Sequence, residues 1–442
     1  MNRRVSACVA SLVGGFWVIG SVLGATSPAQ QSGDDFWGQW RGPFATGVSK
    51  TATPPVEWSE TKNIQWKVAI PGRSSSTPIV WGDRVFLLTA VPADPASTAG
   101  LPPRGSVPAP SLHKFMIMTL DRRTGKTLWE KVVREETPHE RHQENGTWAS
   151  SSALTDGEII IAPFESRGLY AFDMDGTPIW EKDLGDKRMR SQFGEGTTPV
   201  LSGPFLVYVW DHQGQSFIVA LNKHTGEELW RQPRNEIDTW ATPLITTVNG
   251  KGQVITGAMN QIQAYDLETG APIWHTTGLT MNPIPSPVAE DGIAILMSGY
   301  RGNRLKAINL AEAKGDITDT PAVAWTYERD TPYVPSPLLY DGVLYFVKSN
   351  NGILSVLDAK TGTPHYIQQR LDAVPNVFAS PVGADGRVYI VGRDGSTMVL
   401  RHGPTFEVLA TNTLDDGFDA SPALVGGEMF LKGYRFLYKI GG

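Results

Sequence analysis

Hydrophobic and polar positions alternate in short runs along most of this chain, and the runs recur in matching sets. Val388-Tyr389-Ile390-Val391 and Leu354-Ser355-Val356-Leu357-Asp358 have the length and the β-branched and aromatic content of strands. Each set opens on Ser or Thr, usually before Pro: Thr77, Ser152, Thr198, Thr242, Ser286, Ser336, Ser380 and Ser421. After the anchor come a few apolar residues, an Asp-Gly turn such as Asp341-Gly342 or Asp385-Gly386, and a β-rich run. A polar loop and an alternating strand ending in Asp or Asn follow. The set closes on a turn ending in Gly with Trp four places on: Gly125 and Trp129, Gly176 and Trp180, Gly226 and Trp230, Gly270 and Trp274. Anchors are 41–50 residues apart except for a first step of 75, and roughly 40–50 residues is the period of one four-stranded propeller blade. The pattern predicts an all-β chain folded as an eight-bladed β-propeller over residues 36–442, with an inserted Pro-rich loop at 91–112.

Counting strands predicts how the ring shuts. Only three strands follow Ser421, whereas Ile64 to Ile70 forms an extra one whose Trp66 precedes Thr77 as Trp325 precedes Ser336. The N-terminal strand is therefore expected to complete blade eight and pair its open edge. Repeat seven has Leu409 where others carry an aromatic, so its blade is expected to be the least well locked.

Composition adds a compartment. Arg3-Arg4, an apolar stretch from Val5 to Leu23 and the small residues Gly24 and Ala25 read as a secretory signal peptide over 1–25, followed by a flexible linker over 26–35. The only cysteine, Cys8, lies in that leader, so the exported chain has no disulfide or covalent haem attachment. With a net charge of −6 and no basic tract, nothing points to nucleic acid. The expectation is a periplasmic or secreted monomer with no membrane span after cleavage.

The phrase Asp-x-x-Thr-Gly-x-x-x-Trp, at Asp121 to Trp129 and Asp266 to Trp274 with Ser-Pro anchors between, resembles the pyrroloquinoline-quinone-like propeller repeat. That repeat occurs in quinoprotein dehydrogenases and in the outer-membrane assembly factor B family. Trp37-Gly38-Gln39-Trp40-Arg41-Gly42-Pro43, with Gly47, is similar to the opening of exported bacterial propellers of this group. The resemblance implies that Trp66, Trp129, Trp180, Trp230, Trp274 and Trp325 each pack on the neighbouring blade's turn. It implies a non-catalytic binding or assembly scaffold, with no cofactor, whose partner is an envelope protein or glycan. The alternative is a quinoprotein-type oxidoreductase of alcohols or sugars using pyrroloquinoline quinone with calcium. The vicinal cysteine pair of the quinoprotein alcohol dehydrogenases has no counterpart here, and no catalytic residue is assigned.

Strand parity separates the two faces of the ring. Asp-Gly turns after strand one and Thr-Gly turns after strand three share one face; the irregular loops after strand two and before each anchor share the other, where sites usually lie. The candidate ligand-binding residues are His139, His142, Glu144, Asn145 and Trp148 before the second anchor, Asp211 and Gln213 after strand two of repeat three, and Trp240, Tyr300, Arg301 and Tyr333. Two His and two Glu within residues 139–144 suggest metal ligands, but the His pair is at i, i+3 without a His-Glu-x-x-His helix, and a hydrogen-bonded loop explains the stretch as well. No metal is assigned.

Overall fold

In the strands Phe205–Trp210 and Val343–Val347, every residue but the first is buried. Each lies second in its sheet and is covered on both faces, which accounts for its unbroken apolar runs. Outer strands such as Thr127–Glu136 are mostly exposed, with only Trp129, Val133 and Glu136 half-buried. The computed structural model describes Met1 and residues 36–94 and 109–442; the rest of the predicted leader, the linker and residues 95–108 lie outside the described residues.

Eight sheets follow one another around the ring, six of four strands and two of five. The chain is an eight-bladed β-propeller of the expected repeat. Blade eight is closed by Ile64–Ala69, which runs antiparallel to Phe436–Gly441 with Lys67 opposite Tyr438. In blade one the ladder continues to Pro92 and resumes at His113, and Ala93 N–H bonds Leu112 O at 2.8 Å.

The anchors have a shared job. Thr77 N–H donates to Ser152 Oγ at 3.0 Å and Ser152 N–H to Thr198 Oγ1 at 3.2 Å. The same link joins Thr242 to Ser286, Ser286 to Ser336, Ser336 to Ser380 and Ser380 to Ser421, each at 2.9 Å. A hydroxyl is needed because a buried backbone N–H must find an acceptor. The Thr77 hydroxyl, at the seam between blades eight and one, makes no hydrogen bond.

The tryptophans dock outside this ring. Trp66, Trp180, Trp230 and Trp325 donate to the carbonyls of Arg122, Lys223, Leu267 and Ala359, three residues before the turn glycine of the next blade. A Cβ at Gly125, Gly226, Gly270 or Gly362 would come 2.6–2.9 Å from the indole, so glycine there serves close approach as well as positive φ. Trp129 lies against Gly176, but that turn, Asp173 to Gly176, is one residue shorter than Asp121 to Gly125, and the indole N–H has no acceptor. Trp274 instead donates to Gln253 Oε1 at 3.3 Å and is flanked by a short parallel strand, Gly315–Asp316. Blade eight takes its outer strand from Ile64–Ala69 and not from a hairpin, so it offers no such turn to the tryptophan position of blade seven. Trp58 fills in, its ring stacked 6.3 Å from Tyr389 and its backbone N–H donating to Asn412 Oδ1 at 2.9 Å.

Candidate functional site

Residues 36–58 close one end of the axial channel. Phe36–Trp37 adds an inner strand to blade one, pairing with Trp81 and Val80. The chain then crosses the turn face: Gly38 O accepts from Thr155, Gln39 Oε1 from Leu201, Ser49 N–H reaches Gly383 O and Thr53 N–H reaches Gly426 O. Arg41 is 4 % exposed and donates to the carbonyls of Thr46, Pro337 and Pro381 at 2.8–3.2 Å, joining blades six and seven. Burial pushes its guanidinium down to about 9, so it remains a cation at neutral pH, held by carbonyl dipoles without a carboxylate. Gly47, at φ 85°, lies against the guanidinium where a Cβ has no room.

The opposite end is open. A funnel of about 210 Å³ is lined at one equivalent position in every blade, the residue two before each anchor. In order these are Ser75, Ser150, Gly196, Trp240, Ile284, Val334, Phe378 and Asp419. Small residues occupy blades one to three, large apolar ones blades four to seven and an acid blade eight. Trp40, from the closing segment, also lines it, together with Gln143, Asn145, Phe193, Glu195, Tyr333, Asn350 and the anchors Ser152, Thr198, Ser380 and Ser421.

Both carboxylates of the wall are engaged. Glu195 Oε1 accepts from Arg167 Nη1 at 2.5 Å, and Oε2 from Ser166 N–H and Oγ at 3.0 and 2.9 Å. Burial pushes Glu195 up, but Arg167 and Lys187 together outweigh it and hold the carboxyl below its ordinary range. Asp419 takes Arg393 in a fork at 2.6 and 3.1 Å and the Tyr434 hydroxyl at 3.1 Å. Burial raises this carboxyl against the pull of Arg393. Behind the wall, fully buried Lys187 pairs with Glu165 at 3.0 Å and sits over Trp210 at 4.6 Å. Burial raises Glu165, and Lys187 opposes it.

Of the residues expected here, Asn145, Trp240 and Tyr333 line the funnel. Asn145 Oδ1 accepts from Arg393 at 2.8 Å, bridging 248 residues of sequence, and the Trp240 indole donates to Gly194 O at 2.8 Å. Tyr300 stacks on Tyr333 with centroids 4.8 Å apart, and the guanidinium of exposed Arg301, whose backbone is held at φ 51°, lies 5.5 Å from the Tyr300 ring centroid. His139, exposed, bonds Lys187 O, and Gln213, exposed, donates its N–H to Arg188 O. Glu144 is half-buried on its loop. The other three are packing residues. His142 is 3 % exposed, its ring edge-on to Trp148 at 4.4 Å, and burial lowers its pKa so that it is neutral at neutral pH. Trp148 is wedged against His113 and His142, and Asp211 is fully buried in a fork with Arg234 at 2.8 and 3.0 Å. Among the described residues no group of three or more His, Cys, Asp or Glu is placed to hold a metal ion. Trp40, Phe193, Glu195, Phe378 and Asp419 were not expected; reading two places back from each anchor would have found Phe378 and Asp419.

Residues 48–218 and 215–433 match the model of the outer membrane protein assembly factor BamB family. The chain belongs to that family. BamB of Burkholderia pseudomallei is 25% identical over 398 residues, 87% of this chain and 79% of that one. The crystal structure of BamB from Moraxella catarrhalis superposes with a TM-score of 0.57 at 12% identity, covering 85% of this chain and 99% of that one. The quinohemoprotein alcohol dehydrogenase of Comamonas testosteroni gives 0.61 at 12% identity, covering 92% and 80%. These likenesses in structure establish the fold that the two share with this chain. No helix among the described residues is long and apolar enough to cross a membrane.

Proposed function

We propose that this chain is an exported, non-catalytic binding scaffold of the cell envelope, which docks an envelope protein on the loop face. Membership of the BamB family supports the scaffold, and the charged leader with its apolar centre supports export. The observation that carries the reading is the state of the mouth's carboxylates. A calcium site takes six to eight oxygens, carboxylates among them. Glu195 and Asp419 instead spend all four oxygens on Arg167, Ser166, Arg393 and Tyr434. This donor set does not fit a calcium-bound quinone, so the oxidoreductase reading gains nothing from it. At the rim, Arg301 on the Tyr300–Tyr333 stack has the make-up of an interface anchor, Arg and Tyr being enriched at such positions.

The test is a photo-crosslinker placed at Tyr300 in the producing cell, with the captured protein identified and then titrated against purified variants. Arg301→Ala should weaken that partner about tenfold or more, while Lys126→Ala and Glu227→Ala on the turn face should not. Losses confined to the turn-face variants would reject this docking face. Calcium-dependent quinone binding with dye-linked turnover of alcohols or sugars would reject the scaffold.

A further inference from the structure

The funnel is amphipathic around its circumference. Blades four to seven supply a continuous apolar arc that includes Trp240 and Phe378, and the facing arc of blades one to three is built of small and polar residues. Each carboxylate in the wall is matched by one guanidinium, so a charged ligand meets as much repulsion as attraction there. A wholly apolar ligand is also a poor match. Among the described residues the Gln143 side-chain amide, Ser75 Oγ and Asn350 Nδ2 line the funnel without a hydrogen bond inside the protein. Covering them with hydrocarbon strips their water and returns nothing.

We propose that the funnel binds a neutral saccharide, with the C–H face of a sugar ring on the arc of Trp240 and Phe378 and its hydroxyls bonded to Gln143, Ser75 and Asn350. This rests on the reading of the loop face as a binding surface and gives its centre a ligand separate from the partner at the rim. A ligand site of this kind, mostly apolar with a few convergent polar groups, is what a rigid cleft offers to small molecules.

Chitotriose, cellotriose and maltotriose, titrated singly into the purified chain, test it by calorimetry and by tryptophan fluorescence, since Trp40 and Trp240 both line the cavity. At least one sugar should bind saturably in the millimolar range or tighter, with a change in emission. Gln143→Ala should weaken it about threefold to tenfold, Phe378→Ala about tenfold or more, and Lys126→Ala on the turn face not at all. Arg393 lies over the Phe378 ring at 4.2 Å, so the Phe378 variant is checked by thermal melting, and if it unfolds Gln143→Ala decides. No saturable response to any of the three sugars, or glucuronate or a hydrophobic peptide bound as tightly as the best of them, overturns the proposal. Absent sugar binding with the Tyr300 crosslink intact sinks this inference alone; sugar binding with no crosslink sinks rim docking alone.

Discussion

The two ends of the axial channel are finished by different means. At the turn face, backbone and side-chain bonds from residues 38–53 reach blades two, three, six, seven and eight, and most of them engage main-chain atoms. At the loop face the wall includes the residue two places ahead of each anchor, outside the sheet ladders. A position that carries no ladder bond can change from Ser to Trp to Asp without harm to the blade. The closed end therefore holds the ring together, and the open end is where chemistry can vary. Each end also buries a cation: Arg41 below, and above it Lys432, 1 % exposed, whose Nζ donates to Gly433 O at 2.6 Å.

The largest effect expected from this contrast comes from removing residues 36–70, which takes away the closing segment and the strand that completes blade eight. Calorimetry should find no cooperative melt, whereas removing residues 95–108 should leave one close to that of the intact chain. Equal damage from the two cuts would break the contrast.

Arg41→Ala leaves three carbonyls without their charged donor and should cost about 3 kcal/mol in urea unfolding. Arg41→Lys should recover only part, because an ammonium cannot reproduce the planar fork that spans Pro337 and Pro381. Full stability in Arg41→Ala would mean the closure rests on backbone pairing alone.

Lys432 gives a pH test at the other end. Burial lowers it from its ordinary 10.5 to about 8, against the weaker pull of Asp416 and Asp419. Between those values the unfolded chain holds more protons than the folded one, so stability rises with pH. Urea unfolding from pH 7 to 10 should show a gain of roughly 2 kcal/mol that is absent in Lys432→Met. A variant with the same slope as the parent would show that other groups produce it.

The anchor ring sharpens the comparison within one layer. Ser380→Ala strips the acceptor from the buried Ser336 N–H and should cost about 1–2 kcal/mol. Thr77→Ala removes a hydroxyl that bonds nothing and should cost clearly less in the same melt. Smallest of all is Arg301→Ala, expected within about 0.5 kcal/mol of the parent because its side chain is exposed. A larger loss would make the rim a structural element.

Much of the fold was legible because propeller blades are local. A blade's turns, its strands and the Gly-to-Trp spacing lie within one repeat, and the surplus strand around Trp66 followed from counting what blade eight lacked. The expectation that repeat seven is the least well locked was made without Trp58, which lies outside every repeat and reaches blade seven only once the N-terminal segment is laid across the turn face. In the candidate site, Trp240, Tyr333 and Asn145 stood out as aromatics and amides in irregular loops. His142, Trp148 and Asp211 stood out for the same reasons, and they are packed. Residue type alone does not separate a side chain that lines a cavity from one that fills it.

By itself the sequence determined the number of blades, the strand that closes them and the face on which irregular loops gather, because each is written as a period along the chain. Only the tertiary structure decided which side chains meet. Arg393 reaches Asn145 across 248 residues, Arg41 finds the carbonyls of two distant blades, and eight residues two places before their anchors come together around one funnel. Those meetings depend on ring closure, which brings the first and last repeats side by side, and no local pattern records the distance across a closed ring.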